Sequence, residues 1–427
     1  MSVSSYLDER LNFNQEAHLS RFDRYNPSQE KLFFREEATE VFLFFSSFGV
    51  LTMRYVAVCG SPLLKFNNHQ NVVRSLEIEG INFTCGLLHS EDMQFDSESP
   101  ENHEKVLVKI RAFSSNYRDK SIILRAATNL PDQNFYAFGS DFVAEVLTVG
   151  SKVDGLQPGD RVINNNQYPD SGVAGLLPGV PTNHSSKELQ VFHQAKLLKI
   201  PDSISDEMAA GFSIGAQTAY SMLRKLDVRP GENILVTAAK SNTSLFVINA
   251  LKHRGVNVYA TSTSRKFEDK LLAMGVKQLI QVDPNQEDWS HIPELMQIYR
   301  ETGGIHCIVD PFFDLHIGKL LPILRRGEGG RYVTCGLYDQ YSTYTGHDFK
   351  YHGMALKDVM LFAMMNNVQL IGNCVGKTAD LQQAVNDCDR GKFTVAVDSI
   401  FSGNQIEEFV DRTYKSRDRF GKVIFKY

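Results

Sequence analysis

The residues whose types and spacing most clearly suggest chemistry lie between positions 233 and 266. A short β-branched run, a tight turn and a helix-length apolar run are followed there by a second β-branched run, which predicts a βαβ unit. A phosphate group binds well at such a turn, because the amides that open a helix are unpaired and the helix dipole is positive at that end. The pattern therefore predicts half of a doubly wound sheet that binds a nucleotide.

The turn of this unit lacks the glycines that usually let a backbone approach a pyrophosphate. Ala238, Ser241 and Ser244 stand in their places, and all three are small enough to keep that approach open. Without glycine a positive φ is costly, and Asn242 is the turn residue that we expect to tolerate it well. The turn alone is a weak signal, and a βαβ unit that binds nothing explains it about as well.

Hydroxyl and cationic side chains follow the second strand of the unit. An acidic residue at this place binds the ribose hydroxyls of NAD, whereas hydroxyls beside two cations suit the additional phosphate of NADP. We therefore predict NADPH as the cofactor, with a merely solvated loop as the alternative. The predicted cofactor contacts in this unit are Ala238, Lys240, Ser241, Asn242, Thr243, Ser262, Ser264, Arg265 and Lys266.

The composition is that of a globular protein, with 42% hydrophobic and 22% charged residues and a net charge of −5. At 427 residues the chain is too long for one ordinary core, so we expect two domains. No basic tract argues for nucleic-acid binding, and the longest apolar run, residues 41–51, is too short to span a bilayer. The six cysteines form no CxxC pair, so neither a disulfide framework nor a zinc knuckle is indicated, and a reducing cytoplasm fits.

The predicted type of secondary structure changes along the chain. Residues 1–52 are an N-terminal extension rich in phenylalanine, with a predicted helix near 28–45, which we expect to pack on the body. Residues 80–200 carry strand and turn signals, and from Asp206 helices alternate with strands as in a parallel sheet. The six predicted strands of that sheet are residues 233–237, 257–261, 278–282, 307–309, 331–335 and 369–371.

Several segments resemble, in their order, those of the medium-chain dehydrogenase/reductase superfamily. They are VLVKIRAFSSNYRDK, FGSDFVAEVLTVGSKVDGLQPGDRV, AAGFSIGAQTAYSML, LDVRPGENILVT, LLPILRRGEGGRYVTCG and FGKVIF, and the resemblance covers roughly residues 53–427. The NYRD segment is most similar to the zinc-independent quinone oxidoreductase and enoyl reductase branch. The resemblance implies an α/β fold in which a GroES-like β-barrel catalytic domain, residues 53–202 and 377–427, is interrupted by a doubly wound Rossmann domain, residues 203–376.

The resemblance also implies where the site lies. Asn116 and Tyr117 match the segment beside the nicotinamide, so Asn116 would bind the substrate carbonyl or the cofactor ribose, and Tyr117 would donate a proton or stack. The alternative is that Tyr117 only packs, and for Asp119 we favour the plain role of a helix cap. Tyr136 and Tyr168 are rival proton donors.

Three further cofactor contacts are implied by the same resemblance. Thr218 would lie near the nicotinamide, the alternative being a hydroxyl that bonds to its own helix backbone. Gly336 would meet the nicotinamide ribose, and Lys422 would approach the cofactor unless it is an exposed charge at a sheet edge. The bulky segment 310–313 would narrow the cleft, and the insertion at 168–186 would border the substrate entrance.

Zinc enzymes of this superfamily hold their catalytic metal with two cysteines and a histidine. The matching positions are Asn116, Ser140 and Ile214, none of which is a usual zinc ligand, so no metal site is predicted. Without a Lewis acid to stabilise an alkoxide, reduction of an activated double bond is favoured over alcohol oxidation.

We therefore predict an NADPH-dependent, metal-independent reductase of an activated C=C bond, in an enoyl or enone substrate, or of a quinone. A carbonyl or alcohol dehydrogenase of the same superfamily is one alternative. A non-catalytic nucleotide-binding scaffold protein is the other, because the turn has lost its glycines. The expected partners are a small-molecule or carrier- or peptide-bound unsaturated substrate and a second copy of the chain in a homodimer, in the cytoplasm, with no nucleic acid and no membrane span.

Overall fold

In the computed structural model, the residues that the structure describes are 53–59, 71–90, 94–129, 136–179, 183–327, 329–338 and 354–427. They all belong to one compact unit, Val50–Tyr427. The predicted N-terminal extension and its helix lie outside the described residues.

Strands from both ends of the described chain form two sheets in which most neighbours are antiparallel. The strands are β1 (Met53–Cys59), β2 (Val72–Ile78), β3 (Ile81–Ser90), β4 (Lys105–Ser114), β5 (Tyr136–Ala137), β6 (Asp141–Val149), β7 (Arg161–Asn164), β8 (Leu189–His193), β9 (Leu197–Lys199), β16 (Val397–Ser402) and β17 (Lys422–Lys426). The smaller sheet has the order β2-β3-β1-β5. The larger has the order β16-β17-β4-β6-β7-β9, with β8 paired to β4.

Alternation of side chains along β4 explains how the larger sheet encloses a core. Val106, Val108 and Ile110 occupy alternate positions, are fully buried and share one apolar cluster with Phe142 and Phe425. Successive side chains of a strand point to opposite faces, so this spacing puts all three on one face. The last strand, β17, is an interior strand here, because it pairs with β16 on one side and β4 on the other.

A second large sheet contains six parallel strands. They are β10 (Asn233–Val236), β11 (Asn257–Ser262), β12 (Val276–Gln281), β13 (Cys307–Asp310), β14 (Arg331–Thr334) and β15 (Gln369–Gly372), in the order β12-β11-β10-β13-β14-β15. This is the strand order of a doubly wound dinucleotide-binding fold. The six predicted strands match these six with ends shifted by one or two residues, and the predicted mixed α/β architecture is confirmed.

Helices cover the parallel sheet and connect it to the other two. Those in the described ranges are α1 (Tyr117–Asn129), α2 (Asp206–Ala209), α3 (Ser213–Leu226), α4 (Asn242–Leu251), α5 (Glu268–Ala273), α6 (Pro293–Thr302), α7 (Phe313–Leu320), α8 (Leu356–Asn366), α9 (Thr378–Asp389) and α10 (Ile406–Tyr414). Close contact of α3 with α4 depends on Gly215, where a Cβ would lie 2.6 Å from the Phe246 ring. None of the helices in these ranges combines the length and hydropathy needed to cross a membrane.

The parallel register brings three strand ends to one edge of the sheet. Val236 of β10 pairs with Val309 of β13, and Asp310 of β13 pairs with Thr334 of β14. The turns that follow these strands therefore lie side by side, which is where doubly wound sheets bind their ligands.

Candidate active site

A fully buried lysine lies at the centre of the candidate site. Lys422 begins β17 and is 0% exposed. Its Nζ donates hydrogen bonds to Asn116 Oδ1 at 2.6 Å, Asp141 Oδ2 at 2.8 Å and Ser114 Oγ at 3.4 Å. The alternative that Lys422 is an exposed edge charge is wrong, because β17 is an interior strand and all three donors of the ammonium are directed inward.

Asp141 joins this lysine to two other elements. It is the first residue of β6, and its Oδ2 also accepts a hydrogen bond from Asn116 Nδ2 at 2.8 Å. Its Oδ1 accepts from the amide of Ile214 at 2.7 Å, in the first turn of α3, where helix amides lack partners. The buried charge pair is thus fully hydrogen-bonded, as burial of charge requires. Because Asn116 is bonded at both its oxygen and its nitrogen, its amide has one fixed orientation.

The three positions that match zinc ligands form hydrogen bonds within the protein instead. Asn116 bonds to Lys422 and Asp141, and Ile214 contributes only its backbone amide. Ser140 Oγ donates to the carboxylate of Asp119, which also accepts from the Asn116 amide at 2.7 Å in the manner of a helix cap. Burial raises the pKa of the Asp119 carboxyl above its ordinary value, and the hydrogen bonds from Ser140 and the Asn116 amide oppose this.

Tyr117 lies among aromatic residues from the adjoining turns. Its hydroxyl donates to the Tyr338 carbonyl at 3.0 Å, and the two rings stack with centroids 6.3 Å apart. Phe312, in the bulky turn after β13, packs edge-on against Tyr117 with centroids 5.8 Å apart. Lys120 places its Nζ 4.7 Å from the centroid of the Tyr117 ring. Tyr117 therefore lies where α1 meets the turns that follow β13 and β14.

The nucleotide turn takes its positive φ at Ala238, with a value of 47°. The expectation that Asn242 would tolerate such a φ in the turn is not realised, because Asn242 is the first residue of α4. Ser241 is the N-cap, and its Oγ accepts from the Ser244 amide at 3.2 Å. Ser244 Oγ donates to the Thr237 carbonyl at 2.6 Å. The serines thus replace glycine while keeping α4 close to the end of β10.

Two amides at the start of α4 remain for a ligand. Within the described ranges, no hydrogen bond is recorded for the backbone N–H of Asn242 or Thr243, whereas Ser241 and Ser244 use theirs in the turn and the cap. Helix N-termini with free amides bind phosphate. The turn therefore fits a pyrophosphate despite its lack of glycine.

Lys240 and Lys266 lie close together beside this turn. Lys240 Nζ donates to Ser264 Oγ at 3.2 Å. Burial lowers the pKa of Lys240, and the nearby charge of Lys266 lowers it further. Ser262, at the end of β11, accepts from the Ser264 amide at 3.3 Å. The structure therefore brings four of the residues predicted to contact the cofactor into one group.

Both cations predicted to bind the 2′-phosphate already pair with carboxylates. Arg265 Nη1 lies 2.6 Å from Glu268 Oε1, and Lys266 Nζ lies 2.8 Å from Asp418 Oδ2. Asp418 is held from its other side by Arg412 Nη1 at 3.0 Å. The hydrogen bond from Lys266 is the main reason that the pKa of Asp418 lies below its ordinary value.

Thr218 and Gly336 are the remaining predicted cofactor contacts. Thr218 is buried in the second turn of α3 and is not at the N-terminus of the helix. Gly336 follows β14, and its carbonyl accepts from the Phe313 amide at 3.4 Å. The roles of both residues stay predictions.

Sequence reasoning missed several polar residues around Asn116. Asp141 had one available signal, an acidic residue next to Ser140 at the start of a strand. Asn183, in the insertion, donates to the Ser140 carbonyl at 2.6 Å and to Asn166 Oδ1 at 3.1 Å. Within the described part of the chain, Asn166 Nδ2 and Ser213 Oγ are buried without a hydrogen-bond partner. Buried orphan donors of this kind are typical of a site completed by a ligand or water.

Comparisons with known proteins agree with this geometry. Residues 102–202 match the alcohol dehydrogenase GroES-like domain. The chain is 25% identical over 343 residues to acryloyl-coenzyme A reductase of Metallosphaera sedula, covering 75% of this chain and 91% of that protein. It is 29% identical over 236 residues to the human mitochondrial enoyl-[acyl-carrier-protein] reductase, covering 54% of this chain and 57% of that protein.

A solved structure has the same fold. The crystal structure of an NAD-dependent alcohol dehydrogenase superposes with a TM-score of 0.63 at 23% identity, covering 80% of this chain and 96% of that one. The matched domain, the relatives and the strand order of both large sheets point to one superfamily. The matched domain and these relatives are those of the medium-chain dehydrogenase/reductase superfamily, whose members are oxidoreductases that use a nicotinamide cofactor.

Proposed function

We propose that the protein is an NADPH-dependent, metal-independent reductase of an activated C=C bond in an enone or enoyl substrate, or of a quinone. The observation that carries this proposal is the buried network of Lys422, Asp141 and Asn116. Similarity to two enoyl-type reductases supports the reaction class. We also propose the division into residues 53–202 with 377–427 and residues 203–376, which keeps all six parallel strands in one domain.

The network argues against a zinc ion at the matching positions. Asn116 and Ser140 are poor zinc ligands, and the side chain of Ile214 has no atom that can coordinate a metal. An ammonium group within 2.6 Å of Asn116 Oδ1 occupies the acceptor that a metal would need, and its positive charge would repel a dication. Alcohol oxidation would therefore lack its usual electrophile, which favours reduction of a bond that its own carbonyl activates.

The residues described above fit NADPH. The free amides of α4 would hold its pyrophosphate, and Lys240, Ser264, Arg265 and Lys266 would hold its 2′-phosphate. When bound, NADPH supplies a hydride. Thr218 and Gly336 would flank the nicotinamide, with Tyr117 on the opposite side of the cleft.

The protein's own side chains would then stabilise the negative charge on the substrate oxygen and supply the proton. One Nδ2 proton of Asn116 is committed to Asp141, and the other would donate to the substrate carbonyl oxygen. That oxygen gains negative charge as the β-carbon accepts the hydride pair, so a donor of fixed orientation stabilises it without reorganisation. Tyr117 would give its hydroxyl proton to the α-carbon and regain one from water. For this its hydroxyl must leave the Tyr338 carbonyl, which lies on an exposed residue.

One observation favours a second function, that of a nucleotide-binding scaffold without catalysis. Ala238 adopts a positive φ that glycine takes at no cost, so the turn is strained. A protein that no longer needs tight cofactor binding would tolerate such strain.

Titration of the purified protein with NADPH and with NADH, followed by nicotinamide fluorescence, tests these functions. We expect tight NADPH binding, weak NADH binding and oxidation of bound NADPH by enones or quinones, unchanged after dialysis against a chelator. Binding without turnover across the panel would favour the scaffold. Loss of turnover on chelation would contradict metal independence, and no binding of either nucleotide would refute the reductase.

We further propose that the protein forms a homodimer through α8 and β15. Leu356, Met364 and Met365 of α8 are 75%, 70% and 74% exposed. β15 is the terminal strand of the parallel sheet, so one of its edges has no partner strand within the described chain. An edge strand can pair with its own copy across a two-fold axis, and the adjacent apolar face would be covered at the same time.

A further inference from the structure

Arg118 stands between two residues of the candidate site and has no role in the mechanism above. It lies in the first turn of α1, directly after Tyr117 and before Asp119. Across the part of the chain that the structure describes, its guanidinium has no recorded hydrogen bond or ion pair. Several other partly buried arginines pair with carboxylates: Arg54 with Glu188, Arg161 with Asp206, Arg331 with Glu232, and Arg412 with Asp398. Arg419 resembles Arg118 in having no such partner among the described residues, but it lies outside the candidate site.

The surroundings of Arg118 do not neutralise its charge. Burial lowers the pKa of the guanidinium from its ordinary value, and the carboxylate of Asp119 opposes this from a distance. That carboxylate is already bonded to Ser140 Oγ and to the Asn116 amide. Arg118 is partly exposed. Its guanidinium has therefore lost part of its hydration without gaining a counter-charge from the described residues, which is unfavourable for folding.

An exposed cysteine, Cys374, lies near Arg118 and a second cation. Cys374 is exposed and lies close enough to interact electrostatically with both Arg118 and Lys225. Burial by its surroundings raises the pKa of the Cys374 thiol, and the two cations oppose this. The thiol stays neutral at pH 7, so it supplies no counter-charge. Solvent therefore reaches a position that has Arg118 and Lys225 close by and no counter-charge of its own.

We propose that Arg118 binds an anionic oxygen group of the substrate, a carboxylate or a phosphate. This inference rests on the proposed reductase function and names its substrate class: unsaturated carbonyl compounds that carry a negative charge. A guanidinium can bond two oxygens of such a group at once, and the ligand would supply the missing counter-charge. Binding at Arg118 would also fix the substrate next to Asn116 and Tyr117.

Three unsaturated probes distinguish the two sources of the anion. Acetylacrylate carries a carboxylate, its methyl ester is neutral, and crotonyl-coenzyme A carries phosphates. For Arg118→Gln we expect KM to rise by about 10- to 100-fold for the anionic probe that Arg118 binds, with a much smaller change for the ester. A rise confined to acetylacrylate identifies a carboxylate, and a rise confined to crotonyl-coenzyme A identifies a phosphate.

Two variants control for folding and for general charge. Arg118→Lys keeps the charge without the planar fork, and we expect it to restore part of the lost affinity. Arg125→Gln removes an exposed cation from the same helix and should leave all three KM values unchanged. Equal KM changes for charged and neutral probes in Arg118→Gln would overturn the proposal.

A binding measurement separates this inference from the proposed function. Calorimetric titration with levulinate, the saturated analogue of acetylacrylate, and with inorganic phosphate requires no turnover. If the unmodified protein binds an anion and Arg118→Gln does not, the anion site is supported. This holds even if no probe is reduced, and in that case only the reductase proposal fails. Equal affinity of the two proteins for both anions, together with equal KM values, refutes the anion site alone.

Discussion

Asp141 is the one carboxylate recorded within ion-pair distance of the buried Lys422 ammonium in the described ranges. The pair is almost fully desolvated, with side chains 1% and 0% exposed. The attraction between two such groups is strong, but it mainly offsets the cost of removing both charges from water. A buried ion pair therefore need not stabilise the fold more than a pair of apolar side chains would. The removal of one partner therefore has a different consequence from the removal of both.

Asp141→Asn should lower the free energy of unfolding by about 3–5 kcal/mol, because the ammonium of Lys422 stays buried without its counter-charge. The double variant Asp141→Asn with Lys422→Met should recover a large part of that loss. Urea denaturation of the single and double variants, treated as a double-mutant cycle, measures both. A single variant within 1 kcal/mol of the unmodified protein would contradict the assignment of this pair.

Ala238→Gly should raise the free energy of unfolding by up to about 1 kcal/mol, because glycine adopts a positive φ without the clash that a Cβ causes. The gain is reduced by the greater freedom of glycine in the unfolded chain. The matched control is Ala239→Gly, which removes a fully buried methyl group next to it and should be destabilising. Urea denaturation compares the two, and a loss of stability in Ala238→Gly would show that the turn is not strained.

At the scale of elements, two loops from different parts of the chain meet at the predicted 2′-phosphate site. The turn after β11 supplies Lys266, and the segment between α10 and β17 supplies Asp418. Phe267 and Phe420 pack with ring centroids 5.0 Å apart in the same contact. A 2′-phosphate would therefore compete with Asp418 for Lys266.

Arg265→Ala combined with Lys266→Ala should weaken NADPH binding by on the order of 3 kcal/mol and change NADH binding far less, because two charge-assisted contacts are lost. Asp418→Asn should act in the opposite direction and tighten NADPH binding several-fold. Fluorescence titration with both nucleotides measures these changes. The control is Glu408→Gln, which removes an exposed charge from α10. Equal losses of NADPH and NADH affinity in the double variant would show that Arg265 and Lys266 do not bind the 2′-phosphate.

Elements were predictable from sequence to the extent that their signals are local. The six parallel strands are β-branched or apolar runs, and their ends were predicted to within one or two residues. The bond between Lys422 and Asp141 joins residues 281 positions apart, so no local pattern could reveal it. The positive φ was assigned to the wrong residue. Asparagine tolerates a positive φ better than alanine does, but Asn242 is already the first residue of α4, so the residue with positive φ is Ala238.

At the scale of the whole molecule, one face of α8 exposes apolar side chains to solvent in a single copy of the chain. Met360 and Leu361 extend it, at 47% and 53% exposed. Scattered apolar residues on a surface are ordinary, but a continuous face on one helix indicates an interface.

Met364→Glu combined with Met365→Glu should shift the protein from dimer to monomer, because two buried carboxylates would face their own copies across the two-fold axis. Size-exclusion chromatography with light scattering measures the mass. The control is Lys357→Glu, an exposed charge change on the same helix that should leave the mass unchanged. An unmodified protein that is already monomeric at high concentration would refute the interface.

The two carboxylate oxygens of Asp141 bond to different parts of the molecule, which matters for motion between those parts. One holds the Ile214 amide of α3, the helix that leads into the parallel sheet, and the other holds Lys422 and Asn116 of the barrel. If the two proposed domains move against each other, the motion would stretch the bond from the Ile214 amide to Asp141 Oδ1. Domain motion would thus be sensed by the same carboxylate that, together with Lys422, orients the Asn116 amide.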